Sequence, residues 1–317
     1  MAERNNLSFL ITDIVILILQ LVGITCNGFI LYMFFRIRRM RNNTSLRLVL
    51  FLAVTDFLHA LTTLPYIIFL VAFWNPYNIN LNPYFLMISS TPLTVQLKIN
   101  LTLTISIAAE RAMALFLPML YRNLPTVVYA NTSLLLGIFL ACVDLFLEFL
   151  LSPIIERPNC AAIGCFVSDQ FRYYWGTSNM LLGSIVIVLT FLILLKLHII
   201  ERSTNSVRVL VSKETTRFKQ ANRTSVGILC TSLLFVTIPS VGVGFVEMIG
   251  FSIFKTVGPF YIVGLLCAGA CNSIVYVILN RDMRVLAKNC LAGKGLSMSV
   301  PETKVSTTKL VSNVHRS

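Results

Sequence analysis

The ionisable side chains of Asp56, His59, Lys98, Asp144 and Glu148 stand inside long apolar stretches of the chain. An ionised group at the centre of a bilayer costs about 3 kcal/mol or more, so each needs a partner, hydration or a job. Thr94 and Lys98 are one helical turn apart, with Ser90 a turn above, and share a face. Asp144 and Glu148 repeat that spacing at a similar level. Two readings carry equal weight: a structural ion pair that neutralises Lys98, or contacts to a ligand. Glu247 and Tyr261 are weaker pocket candidates. Asn27, Asp56 and Asn272 form a second set, about 13, 13 and 11 Å from the basic ends of their stretches at a helical rise of about 1.5 Å. They are packing hydrogen bonds between helices, or a hydrated centre that holds sodium at Asp56. The rarity of idle carboxylates in mid-membrane favours the second reading. His59, one turn from Asp56, can share that network. A satisfied interior histidine is favoured, because the partners of a metal site are missing around it.

The elements that must position these residues are seven apolar runs, at 9–35, 48–73, 84–109, 126–151, 175–199, 224–250 and 256–279. Each is long enough to cross a hydrocarbon core as a helix. With 56% hydrophobic and 12% charged residues and a mean hydropathy of +0.80, the chain carries more apolar surface than a water-soluble interior hides. The sequence predicts an all-α membrane protein, a seven-helix bundle. Of 26 Lys and Arg residues, 21 fall on alternate connections and the carboxyl-terminal tail. By the positive-inside rule the amino terminus is outside and the tail cytoplasmic. The net charge of +13 is then a topology signal and an attraction for anionic lipid of the bilayer, with no nucleic acid as partner.

The expected organisation is a short external segment over 1–8, a bundle over 9–279, an amphipathic juxtamembrane helix over 280–290 and a disordered tail over 291–317. The first apolar run is too long for a signal peptide and ends in Arg-Ile-Arg-Arg-Met-Arg without a small-residue cleavage site. The sequon at Asn6 lies too close to the first span to carry weight; those at Asn42, Asn43, Asn100, Asn131 and Asn222 fall in the membrane or cytoplasm. The third connection reads as solvated. Tyr173, Tyr174 and Trp175 read as an interfacial belt. Outer loops are short, and only 152–174 is long enough to fold back as a lid. A ligand from outside must therefore enter the bundle itself.

Leu52-Ala53-Val54-Thr55-Asp56 resembles the second-helix motif of rhodopsin-like G-protein-coupled receptors, Asn27 their first-helix asparagine, and Glu110-Arg111 the acidic-Arg pair that ends their third helix. Pro118 and Tyr121 are similar to the Pro-x-x-Tyr run of the second cytoplasmic loop. Asn272-Ser273-Ile274-Val275-Tyr276 resembles the seventh-helix Asn-Pro-x-x-Tyr motif with Ser for Pro, and Pro239 stands at the sixth-helix proline. The resemblance covers all seven spans. Together with the compact length and the run from Glu110 to Arg122, it is nearest to the nematode serpentine chemoreceptors, class BC. It implies a receptor in the plasma membrane, in sensory-neuron cilia, that detects an external small-molecule cue and activates a heterotrimeric G protein. Arg111 would be held by Glu110 at rest and released on activation, and Pro239 would act as a pivot. Dimerisation of the receptor is left open.

Departures from that pattern concern cysteine. Near Leu86 no cysteine is present, so the family's usual bridge from the third helix to the second outer loop cannot form. Cys160 and Cys165 either pair locally, which is slightly favoured, or remain free or separately paired. Cys26, Cys142, Cys230, Cys267 and Cys271 read as small packing residues, and Cys290 as a palmitoylation candidate. A retinal pigment is set aside: Lys98 is the lysine within a span, and Leu266 stands ten residues before Tyr276. A transporter or channel is the runner-up, favoured by the intramembrane charges, but the charges form no path through both halves and no internal repeat is present. No cofactor and no catalytic nucleophile, base and oxyanion arrangement are expected.

Overall fold

The computed structural model describes residues 2–37, 46–77, 79–158, 160, 162–204, 213–250 and 260–291. Seven of its helices are long and apolar enough to cross a membrane: Leu7–Arg36, Arg47–Ala72, Pro83–Phe116, Thr126–Leu151, Asp169–Arg202, Gln220–Met248 and Tyr261–Leu279, here spans one to seven. Among the described residues there is no strand. Two-thirds of the most apolar window of span three is buried, against 22% in spans one, four and five, so span three is the axis of the bundle. Outer faces carry Phe35, Phe139, Phe146, Leu150 and Phe191, each more than 60% exposed. That surface is stable only against lipid.

The helices overrun the apolar runs. The first helix starts at Ala2, within the segment expected to lie outside the bundle, and the helices flanking the third connection reach Thr204 and resume at Lys213. The apolar run ends where the bilayer ends, but Arg, Lys, Glu and Gln sustain helix as well as Leu does, so polarity alone stops nothing. The tail beyond Leu291 and the beginning of the seventh run, with Lys255, lie outside the described residues.

Where helices do break, the residue responsible is identifiable. Span two divides into Arg47–Thr62 and Leu64–Ala72. Pro65 cannot donate to the turn before it, and the Thr63 hydroxyl donates to the His59 carbonyl at 2.6 Å. Span three opens on Asn82, whose Oδ1 accepts from the backbone N–H of Tyr84 at 3.0 Å and Phe85 at 3.3 Å, with Pro83 at the first helical position. Span six widens into a π-helical segment, Leu233–Thr237, just before Pro239. Pro239 has no N–H for the Phe235 carbonyl four residues earlier. Span seven packs there through Gly264, where an added Cβ would lie 2.4 Å from the Phe235 carbonyl oxygen.

The last described helix, Arg281–Leu291, turns Met283, Leu286 and Ala287 onto the bundle and leaves Arg284 and Val285 outside. Asn280 caps it, accepting from the Met283 N–H at 3.2 Å. Met283 and Leu286 join Ile30, Met33, Phe34, Ala53 and Tyr276 in a small core that ties this helix to spans one, two and seven.

Candidate functional site

Three polar sites lie along the axis of the bundle. At one end, Arg111 and Glu110 are each 6% exposed, and the guanidinium Nη2 is 2.6 Å from Glu110 Oε1. Leu117 leaves the helix at φ −130° and ψ 59°, and Pro118 then starts a short helix, Pro118–Asn123. That turn brings the Tyr121 hydroxyl to Glu110 Oε1 at 3.4 Å. Burial pushes the Tyr121 phenol above its ordinary pKa, so it remains a donor at neutral pH. Leu117, Met119 and Leu120 on this turn are exposed.

The middle site centres on Asp56. Its Oδ1 accepts from Gln96 Nε2 at 2.7 Å and Asn100 Nδ2 at 3.4 Å, both on span three. His59 is buried, but the bonds to Asp56 come from span three instead. Gly269 lets span seven approach closely, since a Cβ there would meet the Asp56 carboxyl carbon at 3.0 Å. Asn27 donates to the Gly23 carbonyl at 3.0 Å and accepts from Ser273 at 2.6 Å. The serine in the place of a proline therefore joins span seven to span one. Asn27, Asp56, Asn272 and Tyr276 line one cavity of about 10 Å³. Asp56 Oδ2 and both amide atoms of Asn272 are buried without a hydrogen-bond partner. Orphaned oxygens around a space of one water-sized probe fit a single water or a small monovalent cation. Among the described residues, no three His, Cys, Asp or Glu side chains converge as metal ligands.

The third site lies at the opposite end from Arg111, beneath the loop that holds Cys160 and Cys165. These two cysteines are joined as a disulfide across a separation of 5 residues, and Ile163–Cys165 forms a single 3₁₀ turn. Arg172 fastens the loop from below, donating to the carbonyls of Gly164 at 2.6 Å and Val167 at 2.5 Å. It also meets Asp169 and lies 3.9 Å from Glu247. Under this cap is a cavity of about 30 Å³ lined by Ser90, Thr94, Glu148, Phe171, Trp175 and Tyr261 among others.

Of the pocket candidates read from the sequence, Thr94, Glu148 and Tyr261 face this cavity. Lys98 and Asp144 do not; they pair behind it at 3.1 Å, where Lys98 also donates to Ser178 at 2.8 Å and Tyr174 to Asp144 at 3.0 Å. Glu247 stands with Arg172. The aromatic triplet divides its duties rather than forming one belt. Tyr173 is 51% exposed, but Trp175 is 5% exposed, its ring centroid 6.4 Å from Phe171 and 5.3 Å from Tyr261. Consecutive helical residues point about 100° apart, so a triplet cannot share one surface. Cys290 is half-buried on the last helix.

Sequence reasoning missed Arg172, Gln96, Asn100 and Asp13 as site residues. Asp13 lies in span one and is 3% exposed, with Oδ1 unpartnered. An intramembrane carboxylate was the available signal for Asp13. Gln96 and Asn100 share the helical spacing of Thr94 and Lys98 but sit on another face of span three, and only the packing shows which face Asp56 meets.

No curated protein matches the chain. The family described as serpentine type 7TM GPCR chemoreceptor Srbc matches residues 5–283, which takes in all seven spans and the three polar sites. The chain is a multi-pass membrane protein that belongs to the Srbc family of nematode serpentine seven-transmembrane chemoreceptors.

Proposed function

We propose that this chemoreceptor binds an external small-molecule cue in the cavity under the Cys160–Cys165 loop and activates a heterotrimeric G protein at the Arg111 end. Its amino terminus is outside and its tail cytoplasmic, in the plasma membrane of a sensory cell and its cilia. The observation that carries this reading is the placement of two unlike polar sites on one buried helix. Thr94 faces a capped cavity and Arg111 a locked ion pair, and 17 residues of helix separate them, about 25 Å.

Ligand contacts can shift the bundle only by their differential affinity for two arrangements. The element suited to a second arrangement is span six, widened at Leu233–Thr237 and without a backbone donor at Pro239. Movement of its inner end from span three would uncover Arg111, Tyr121 and the basic third connection, freeing Arg111 from Glu110 for the G protein. At the middle site, Asp56 and Asn272 would hold a water or a sodium ion whose loss accompanies the change. A transporter reading gains nothing from these contacts: Lys98 pairs sideways with Asp144, not along a route. The test measures nucleotide exchange and tracer uptake in the same cells under a panel of volatile and water-soluble cues. Exchange without uptake is expected; uptake without exchange would replace the receptor by a transporter.

A further inference from the structure

The buried charges around the capped cavity do not balance. Lys98 and Arg172 are 3% and 4% exposed, and Asp144, Glu148 and Glu247 are 1%, 1% and 8% exposed, two cations against three carboxylates. Lys98 is matched to Asp144 at 3.1 Å, and Arg172 to Glu247 at 3.9 Å and to the exposed Asp169. Among these three carboxylates Glu148 is the one left over. Its Oε2 accepts one neutral hydrogen bond, from Thr94 at 2.9 Å, and among the described residues no Lys or Arg nitrogen lies within salt-bridge distance of it. A single hydroxyl does not offset the desolvation of a carboxylate. Glu148 also faces the cavity, whose other walls are largely apolar and aromatic, Leu93, Phe171, Trp175 and Tyr261, with the paired Arg172 at its loop side.

We infer that the cavity takes a small organic cation, a primary alkylammonium, with its charge on Glu148 and its carbon body against Leu93, Phe171 and Trp175. The inference rests on the reading of this cavity as the cue site. Each part of such a ligand meets a matching part of the wall. The ammonium supplies the missing positive charge and can reach the Thr94 hydroxyl as a second polar partner. Aromatic faces attract a desolvated cation further. Arg172, which also lines the cavity, is already shared among Glu247, Asp169 and two loop carbonyls, so a carboxylate ligand would compete with them for it and would add to the surplus negative charge. The volume of about 30 Å³ has room for two or three water-sized groups, which sets the scale to a head group and one or two carbons.

The direct test uses the full chain in nanodiscs of zwitterionic phosphatidylcholine, without any G protein. Thermal unfolding is followed with ethylammonium, ethanol and acetate at equal concentrations. The expected result is a saturable rise of about 3 °C or more with the ammonium alone, lost in Glu148→Gln. Equal rises with ethanol, which would mean that Glu148 is protonated and neutral, overturn the inference, as does a rise with acetate or an ammonium effect that survives Glu148→Gln. If Glu148→Gln does not fold, the comparison of ammonium with alcohol in the unaltered chain decides alone. A shift by the ammonium with no G-protein response to any cue keeps this inference and removes the receptor reading. Cue-driven nucleotide exchange with no shift by the ammonium does the reverse.

Discussion

Lys98 of span three meets Asp144 of span four at 3.1 Å, with side chains 3% and 1% exposed. Ser178 on span five and Tyr174 complete the cluster, so the pair joins three helices at one level. Removal of one member leaves the other charged and buried, a cost of about 3–5 kcal/mol. Asp144→Asn and Lys98→Met are each expected to lower the melting temperature by about 10 °C in nanodiscs. The double variant Lys98→Met with Asp144→Leu should recover most of the loss. Equal losses in single and double variants would show that packing, not charge, fixes these helices.

Span seven rests its Gly264 against the Phe235 carbonyl, where a Cβ would have only 2.4 Å. Gly264→Ala must push the two spans apart next to the π-helical segment, at a cost of about 1–3 kcal/mol. Gly242, on the same span six, has open space where its Cβ would be. Gly242→Ala should be neutral or gain about 0.5–1 kcal/mol from helix propensity. Thermal unfolding of the two variants beside the unaltered chain checks the contrast.

The seven spans were legible because apolar runs of this length need no finer pattern. Helix rotation was not legible. Whether Asp56 meets His59 on its own helix or Gln96 and Asn100 on span three depends on how two cylinders are turned, and neither sequence records that angle. Trp175 reads as an interfacial residue by its position and ends in the core by its azimuth. Ser273 reads as the loss of a proline, yet gains a 2.6 Å bond to Asn27 that the motif it departs from gave no reason to expect. Spacing along one helix shows which residues share a face, and packing decides what that face meets.

Cys160 and Cys165 close a loop that caps the cavity. The other six cysteines carry free thiols. Alkylation of the denatured, unreduced chain should therefore add six labels by mass, and eight after reduction. Cys160→Ala with Cys165→Ala should cost about 2 kcal/mol of stability for so short a loop. Eight labels without reduction would mean that the cap is open in the isolated protein.

Asp56 Oδ2 and Asn272 are buried and unpartnered around their small cavity. If sodium occupies it, replacement of sodium chloride by choline chloride at constant ionic strength should raise basal nucleotide exchange. Asp56→Asn should remove the difference between the two salts, because the neutral amide no longer attracts the cation. A salt difference that persists in Asp56→Asn would place the ion elsewhere and leave water as the occupant.

The central claim is that Arg111, held 2.6 Å from Glu110, is released to engage a G protein when a cue binds some 25 Å away along the same helix. The most direct measurement is cue-driven nucleotide exchange on a heterotrimeric G protein by Arg111→Ala, at surface levels matched to the unaltered chain. The account predicts that the response falls at least about tenfold, the equivalent of about 1.4 kcal/mol of coupling, while cue binding in nanodiscs persists. An undiminished response in Arg111→Ala would contradict it and leave Arg111 as an anchor at the membrane surface.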